Sequence, residues 1–179
     1  MLFHDLTTPR LRLTGIAPTD RDFILRQFSD PDVTRYLYDE EPFRTLDEAD
    51  GLIEFYTQPE PREQHRWILR LRDEPIGTVG FHRWDSAAGV AEMGYDLQPA
   101  YQRQGLMTEA AIAALAFARD DMRLTRVLAH ISTDNVASTA LARKLGFAPT
   151  DEIVTYTFRG ARYDHRVFAR EQGVSPLAS

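Results

Sequence analysis

The sequence predicts an α+β fold (in the wider sense α/β) in which one domain is built around a mixed β-sheet with helices on both faces. Strand-like and helix-like segments follow one another as a strand, two helices, several strands, a helix, a strand, a helix and a hairpin, without an internal repeat. Strands and helices alternate in the second half, which favours strand–helix–strand crossovers. The 179 residues are 43% apolar and 11% aromatic, enough to bury a core of their own.

The first predicted elements are a strand and two helices. Apolar and polar residues alternate over residues 11–14, as expected of a half-buried strand. A helix is expected to begin near Thr19, with Asp22 in its first turn. A second helix is expected to begin at Thr45, because Glu48 completes a capping-box pattern ahead of an apolar segment.

A β-hairpin and a further strand are predicted in the middle of the chain. Residues 67–71 and 76–84 are strand-like, and they flank the turn-like residues 72–75. The next strand covers about residues 92–97. It is expected to end before Pro99, because proline cannot donate a hydrogen bond to a sheet.

The second half of the domain is predicted to begin with a buried helix. Residues 108–119 are rich in alanine and apolar on nearly every side, which is typical of a helix packed against a sheet. A strand, a helix that ends at Gly146 and a second hairpin follow, and they are expected at residues 126–131, 135–145, and 153–158 with 163–168. We expect residues 1–170 to form a single domain and residues 171–179 to form a C-terminal tail.

Composition and charge exclude several kinds of function. The absence of cysteine excludes disulfides, thiol catalysis and thiolate metal sites, and the five histidines lack the spacing of a zinc site, so no metal is expected. The net charge of −6 argues against nucleic acid as a partner. No apolar stretch approaches the roughly 20 residues of a membrane-spanning helix, and no N-terminal signal pattern is present, so we expect a cytoplasmic protein without a membrane partner. A small-molecule site is therefore the expected functional feature.

The loop after the strand that ends near Leu97 is suited to binding phosphate. It contains Arg103 and Gly105 and leads into a helix that is expected to begin at about Met107. Backbone N–H groups at the start of a helix have no partner within the helix and lie at the positive end of its dipole. Gly105 permits a tight turn around an anion, and Arg103 can add a charged contact. The same residues could also form an ordinary connection, and the motifs of nucleoside-triphosphate and dinucleotide sites are absent.

Several segments resemble a known family. Residues 102–107, Gln-Arg-Gln-Gly-Leu-Met, resemble the [QR]-x-x-G-x-[GA] loop by which the GNAT superfamily of N-acetyltransferases binds coenzyme A. Residues 135–138 and 145–147 are similar to the later Asn-to-Gly-Phe segment of that family. Further segments look like the branch that contains the RimJ and RimL ribosomal-protein acetyltransferases, namely residues 8–13, 75–77, 91–95 and 107–110. The resemblance spans roughly residues 8–168.

This resemblance implies a GNAT-like fold, with a mostly antiparallel central sheet of about seven strands, and acetyl-CoA (acetyl-coenzyme A) as co-substrate. It assigns nine residues to coenzyme A binding: Leu97, Gln102, Arg103, Gln104, Gly105, Leu106, Met107, Thr108 and Asn135. Met107 departs from the glycine or alanine of the superfamily, but the branch often has methionine there and the backbone N–H is retained. The length of the acyl chain is left open.

Acyl transfer from a thioester to an amine needs a base for the amine and an acid for the departing thiolate. The family often places a glutamate in the strand before the cofactor loop, which implies Glu92 as the base, with His130 or water as alternatives. Glu92 could equally be a solvated or arginine-paired carboxylate. The usual acid of the family, a tyrosine, is replaced by Ala142, so the resemblance to RimL implies Ser138, which could instead bond backbone groups of its own helix. Backbone N–H groups where the Glu92 strand separates from its neighbour are implied to hold the oxyanion.

The resemblance implies a primary amine as acceptor, with a protein N-terminal α-amine as the leading choice. The family builds the acceptor pocket from its early helices and final hairpin, which brings in six acidic and aromatic residues: Tyr36, Tyr38, Asp39, Glu40, Glu41 and Trp84. They could attract a cationic amine or simply be solvated. The alternatives are a small-molecule amine (antibiotic, polyamine or amino acid) or a non-catalytic acyl-CoA-binding sensor. A monomer and a homodimer are both compatible with the sequence.

Overall fold

The described residues form one eight-stranded sheet in the computed structural model, which covers residues 3–38 and 41–173. The strands are β1 (Leu6–Thr7), β2 (Leu11–Gly15), β3 (His65–Leu71), β4 (Glu74–Asp85), β5 (Val90–Leu97), β6 (Arg126–Ser132), β7 (Ala148–Phe158) and β8 (Ala161–Glu171). Their order is β1-β2-β3-β4-β5-β6-β8-β7, and every neighbouring pair is antiparallel except β5 and β6. The predicted mixed, mostly antiparallel sheet is confirmed. The short edge strand β1 was not predicted.

Helices pack on both faces of this sheet. They are α1 (Arg21–Ser29), α2 (Pro31–Thr34), α3 (Leu46–Thr57), α4 (Leu106–Asp120) and α5 (Val136–Lys144). Helix α4 connects the parallel strands β5 and β6, so it is the crossover that the alternation of elements predicted. The very short helix α2 was not predicted.

Alternation along β3 divides the core into two layers. Ile68 belongs to the apolar cluster formed with α1 and α3, whereas Trp67 and Leu69 belong to the larger cluster that includes α4. All three side chains are fully buried, because successive residues of a strand point to opposite faces. The prediction of helices on both faces is therefore confirmed.

The two early helices begin for different local reasons. The predicted capping box of α3 is present, since Glu48 N–H donates to Thr45 Oγ1 (3.3 Å) and Thr45 N–H donates to Glu48 Oε2 (2.8 Å). Helix α1 begins two residues later than the predicted Thr19, after a 3₁₀ turn. There the Asp20 carboxylate, and not that of Asp22, accepts from a backbone N–H, that of Ala17, at 3.0 Å.

The first hairpin is tighter than predicted. Arg72 and Asp73 alone form the turn, with φ of 50° and 69°, so Glu74 and Pro75 already belong to β4. Positive φ at both central residues matches the right-handed twist of the paired strands. The second hairpin turns at Arg159-Gly160, between the two strands predicted for it.

An opening between β5 and β6 creates the place for a site. The parallel pairing covers Val90, Ala91 and Glu92, and within the described residues it extends no further. Strand β5 continues to Leu97 with β4 as its partner. The two parallel strands therefore separate after Glu92, and the opening faces the beginnings of α4 and α5.

The end of the sheet lies slightly beyond the predicted domain boundary. Strand β8 runs through Glu171, and the N–H of Gln172 donates to the carbonyl of Thr125 at 2.8 Å. The rest of the expected tail, residues 174–179, lies outside the described residues.

Candidate active site

The loop between β5 and α4 presents backbone donors without partners. Gly105 is the N-cap of α4 and has a φ of 76°, and Arg103 also has a positive φ of 58°. Within the described part of the chain, the backbone N–H groups of residues 103–108 have no protein acceptor, and Glu109 is the first to donate, to the carbonyl of Gly105 at 3.1 Å. Such a row of N–H groups at the start of a long helix can hold a pyrophosphate.

The side chains of this loop mostly support its shape. The amides of Gln102 and Gln104 donate to the carbonyls of Leu97 (3.0 Å) and Ala100 (2.9 Å). Leu106 and Met107 are buried in the core, so the group they can offer a ligand is the backbone N–H. Arg103 is exposed and Thr108 is half-buried, and Leu97 is buried at the end of β5.

Asn135 and Ser138 lie together at the start of α5. Asn135 Oδ1 accepts from the Ser138 N–H at 3.0 Å and so caps the helix. The Tyr95 hydroxyl donates to the carbonyl of Ser138 at 3.4 Å, which brings a second hydroxyl to this point. Burial raises the pKa of Tyr95, only partly offset by its hydrogen bond with Ser138. The sequence did not indicate Tyr95 as a candidate for this site, because it lies 43 residues from Ser138. Ala142, at the position of the family's tyrosine, is buried in the core.

Glu92 lies on the face of the sheet opposite to Tyr95 and Ser138, among histidine and arginine side chains. Its Oε2 is 3.2 Å from His82 Nε2 and 3.7 Å from His130 Nδ1, and Arg83 Nη1 donates to its Oε1 at 3.0 Å. Burial alone would raise the pKa of Glu92, but the hydrogen bonds from His82 and Arg83 outweigh it and lower the pKa to about 2. Glu92 is therefore ionised throughout the physiological range.

His130 completes this cluster as a neutral imidazole. Burial lowers the pKa of His130, and the negative charge of Glu92 offsets only part of that effect. Its Nδ1 is 3.1 Å from the hydroxyl oxygen of Tyr156, which lies on β7. The structure thus brings together the two candidate bases, Glu92 and His130, and adds three residues that the sequence did not indicate: His82, Arg83 and Tyr156.

Aromatic rings continue from this cluster along the hairpin. Tyr156 and His165 meet edge to face at 4.6 Å, and Tyr38 lies at 5.7 Å from His165. Tyr38 also stacks on Tyr163, with ring centroids 3.7 Å apart and an interplanar angle of 7°. The Glu41 carboxylate pairs with the Arg159 guanidinium. Tyr38 and Glu41 are therefore both attached to the β7–β8 hairpin.

The six residues expected at the acceptor pocket do not all come together. Tyr38 and Glu41 contact the hairpin, whereas the Tyr36 ring packs under the Arg35 guanidinium at 5.3 Å. Trp84 is misplaced in that set, because its ring meets Phe3 at 6.2 Å and packs against the core cluster of α4. Asp39 and Glu40 lie outside the described residues.

A cavity of about 640 Å³ opens beside the stacked tyrosines. Its lining comes from the end of β6 and from both strands of the hairpin: Ser132, Thr133, Asp134, Ile153, Thr155, Arg162, Tyr163 and Asp164. The carboxylates of Asp134 and Asp164 give this cavity groups that can attract a cation.

Two further features bear on the kind of site. Among residues 3–38 and 41–173, no three histidine, aspartate or glutamate side chains are grouped so that they could hold a metal ion. In the same residues, no helix has the length and apolar character needed to cross a membrane.

Comparisons with known proteins point to one family. Residues 10–148 match the model of an acetyltransferase (GNAT) domain. YoaA of Bacillus subtilis (strain 168), described as an uncharacterized N-acetyltransferase, is 33% identical over 94% of this chain and 97% of its own length. Two solved structures share the fold. RimL, a ribosomal L7/L12 α-N-protein acetyltransferase, has a TM-score of 0.82 at 18% identity, and the match covers 93% of this chain and 92% of RimL. Spermidine N-acetyltransferase from Vibrio cholerae, in complex with CoA and spermine, has a TM-score of 0.81 at 20% identity, and the match covers 91% of this chain and 96% of that one.

Proposed function

The chain belongs to the GNAT acetyltransferase family and is an N-acetyltransferase that uses acetyl-CoA, and on this premise we propose that its acceptor is the α-amino group of a protein or peptide N-terminus. This proposal places the chain in the RimJ/RimL-like branch. The observation that carries it is the position of the Glu92 carboxylate between His82, Arg83 and His130, which favours its ionised form.

A carboxylate with a pKa of about 2 is a weak proton acceptor. The reaction therefore favours an amine that is already unprotonated in an appreciable fraction of its molecules at neutral pH. At pH 7 an α-amine with a pKa near 8 is roughly one-tenth neutral, whereas an alkylamine with a pKa near 10.4 is neutral in about one molecule in 2,500. The Glu92 cluster thus suits an α-amine better than a lysine or a polyamine.

The loop before α4 provides the proposed cofactor site. Acetyl-CoA supplies the activated acetyl group, as a thioester. The free N–H groups of residues 103–108 would hold its pyrophosphate, and exposed Arg103 would add a charged contact. Asn135 has its side-chain oxygen engaged as a helix cap, so its amide nitrogen would donate to the pantetheine, which would pass Leu97 through the opening after Glu92.

Glu92 and His130 would move the proton of the amine. Neutral His130 accepts the proton, directly or through a water, and the fixed charge of Glu92 stabilises the resulting imidazolium. On the opposite face, the hydroxyl of Ser138 or that of Tyr95 donates a proton to the thiolate as the carbon–sulfur bond breaks. A carbon–nitrogen bond would replace the carbon–sulfur bond, one proton would leave the amine and one would reach the sulfur, so the transfer is balanced.

One observation favours a small cationic amine as a second candidate. The cavity beside Tyr38 and Tyr163 carries Asp134 and Asp164, and aromatic faces and carboxylates attract ammonium groups. A polyamine would use this cavity for its distal charge.

Acetyl transfer to matched acceptors separates the two candidates. Thiol release from acetyl-CoA is measured with N-terminal peptides, with the same peptides blocked by N-terminal acetylation, and with spermidine. We expect turnover with peptides whose N-terminus is free and none with the acetylated peptides, even when the acetylated peptides contain lysine. Turnover confined to spermidine would reject it in favour of the polyamine, and turnover of blocked peptides would reject the α-amine as acceptor.

A further inference from the structure

Arg10 connects the turn between β1 and β2 to the β5–α4 loop. Its Nε donates to Glu109 Oε2 at 2.6 Å, its Nη1 donates to the carbonyl of Gln104 at 3.0 Å, and its backbone N–H donates to Glu109 Oε1 at 2.8 Å. The Thr8 hydroxyl donates to the same Oε1 at 2.6 Å. Two segments about one hundred residues apart in sequence are thus joined at the beginning of α4 by four hydrogen bonds.

The bond to Gln104 fixes the direction of a peptide group. In a trans peptide the C=O and the next N–H point in opposite directions. Because Arg10 holds the Gln104 carbonyl, the Gly105 N–H must point away from Arg10 and remain available to a ligand. A Cβ at Gly105 would lie 3.5 Å from Arg10 Nη2, so the guanidinium already rests against this residue.

These contacts differ from those of an ordinary surface ion pair. The Glu109 side chain is only 16% exposed and accepts hydrogen bonds from both Thr8 and Arg10, so its carboxylate is fixed in place beside the Arg10 guanidinium. The neighbouring pair, Arg12 with Asp73, rests on one contact at 2.9 Å between side chains that are 58% and 81% exposed. Arg12, on β2 two residues after Arg10, therefore provides a matched control.

We propose that Arg10 is a positioning residue for the acetyl-CoA loop, which it holds in the pyrophosphate-binding conformation by bridging Gln104 and Glu109. This inference rests on the proposed assignment of residues 103–108 to the pyrophosphate. Arg10 acts through the backbone of the loop, so its removal weakens acetyl-CoA binding and leaves the chemistry at Glu92 and Ser138 intact.

The main test compares Arg10→Gln with Arg12→Gln in the full chain. For Arg10→Gln, the KM for acetyl-CoA and the calorimetric Kd for coenzyme A are expected to rise about tenfold, the effect of losing a charge-assisted hydrogen bond, with kcat and the acceptor KM within about twofold of the unmodified protein. Arg12→Gln is expected to change none of these. An unchanged Kd in Arg10→Gln, or an equal rise in both variants, would overturn the proposal.

Two further variants separate the possible explanations. Arg10→Lys keeps the charge but cannot reach Gln104 and Glu109 as a fork, so it is expected to stay impaired; full recovery would reveal simple charge attraction and overturn the positioning role. Gly105→Val tests the loop itself, because valine is strained at a φ of 76°. If coenzyme A binding is weakened in Gly105→Val but not in Arg10→Gln, the positioning role of Arg10 is rejected and the loop assignment stands. If both variants bind coenzyme A normally, the loop assignment is rejected as well.

Discussion

Glu92 is held in its charged form by its neighbours, and this determines what it can do. His82 and Arg83 contact its two oxygens, and His130 lies 3.7 Å from one of them. In the proposed transfer, a carboxylate of such low pKa would contribute chiefly by its charge. The imidazole of His130, kept neutral by burial, is the better proton acceptor of the pair.

The titration of His130 tests this division of roles. We expect the pKa of His130 to lie below its ordinary value, because burial lowers it. In Glu92→Gln the pKa should fall further, since the charge of Glu92 favours the protonated imidazole. NMR titration of the imidazole signals, assigned with His130→Asn, measures both values. A rise in the pKa on removal of Glu92 would contradict the interpretation.

The same substitution should slow the reaction. We expect kcat of Glu92→Gln to fall about 10²-fold, as is typical when proton transfer is impaired. Glu54→Gln, at an exposed position of α3, is the control and should keep full activity. Equal activities of the two variants would exclude Glu92 from the transfer.

Ser138 and Tyr95 offer two hydroxyls at the thiol side, and single substitutions distinguish them. The variant that lacks the proton donor, Ser138→Ala or Tyr95→Phe, is expected to lose about 10²-fold in kcat at an unchanged acetyl-CoA KM. Steady-state thiol release measures both parameters. Full activity in both variants would mean that the thiolate takes its proton from elsewhere.

A buried ion pair joins several elements around β5. Asp96 of β5, whose side chain is 8% exposed, accepts from Arg66 of β3 (3.2 Å), Gln27 of α1 (2.6 Å) and the Thr78 hydroxyl of β4. Burial raises the pKa of Asp96, and these partners only partly offset the effect. The network attaches α1 to the strand that leads into the β5–α4 loop.

Removal of Arg66 should therefore destabilise the fold. We expect Arg66→Met to lower the free energy of unfolding by about 3–5 kcal/mol, because the Asp96 carboxylate stays buried without its cation. Urea denaturation measures this loss, with Arg12→Met at an exposed pair as the control, expected to lose about 1 kcal/mol or less.

The loss should also depend on pH. A carboxyl group whose folded pKa is raised favours folding when it is protonated, and this contribution is lost as the pH rises. The destabilisation by Arg66→Met should thus be smaller at low pH than at neutral pH. A loss that grows as the pH falls would show that Asp96 does not carry the effect.

For the whole molecule, the two substrates are expected to approach from different sides of the sheet. Glu92, His130, Tyr38 and Tyr163 lie on the side that faces α1 and α3, whereas Ser138 and the Arg10–Glu109 pair border α4 and α5. The pairing of β5 with β6 ends at Glu92, and the proposed transfer would take place at the opening that follows.

This arrangement predicts independent effects on the two substrates. Tyr38→Ala is expected to raise the acceptor KM about tenfold through loss of its stacked ring, and to leave the acetyl-CoA KM unchanged. In the double variant with Arg10→Gln, each KM should rise as much as it does in the corresponding single variant, since distant sites usually act additively in free energy. Steady-state kinetics of the single and double variants measure this, with Phe55→Ala, an exposed ring of α3, as the control. A different rise of either KM in the double variant would indicate that the two sides are coupled.

The sequence alone determined the features whose cause is local. The capping box at Thr45 and Glu48 and the loop around Gly105 each depend on residues a few positions apart, and the structure has both of them. Local backbone hydrogen bonds and side-chain periodicity explain this, because they are set by neighbours in the chain. The same logic predicted most strands and the alternation of the second half.

Only the tertiary structure decided which distant side chains meet. Glu92 meets His130 of the next strand across the sheet, Tyr95 reaches Ser138, and Arg10 reaches Glu109 ninety-nine residues away. Sequence patterns could propose Glu92, His130 and Ser138 as separate candidates, but not their partners, and they misplaced Trp84. The reason is that strand order, register and the separation of β5 from β6 result from packing the whole core, which no single segment encodes.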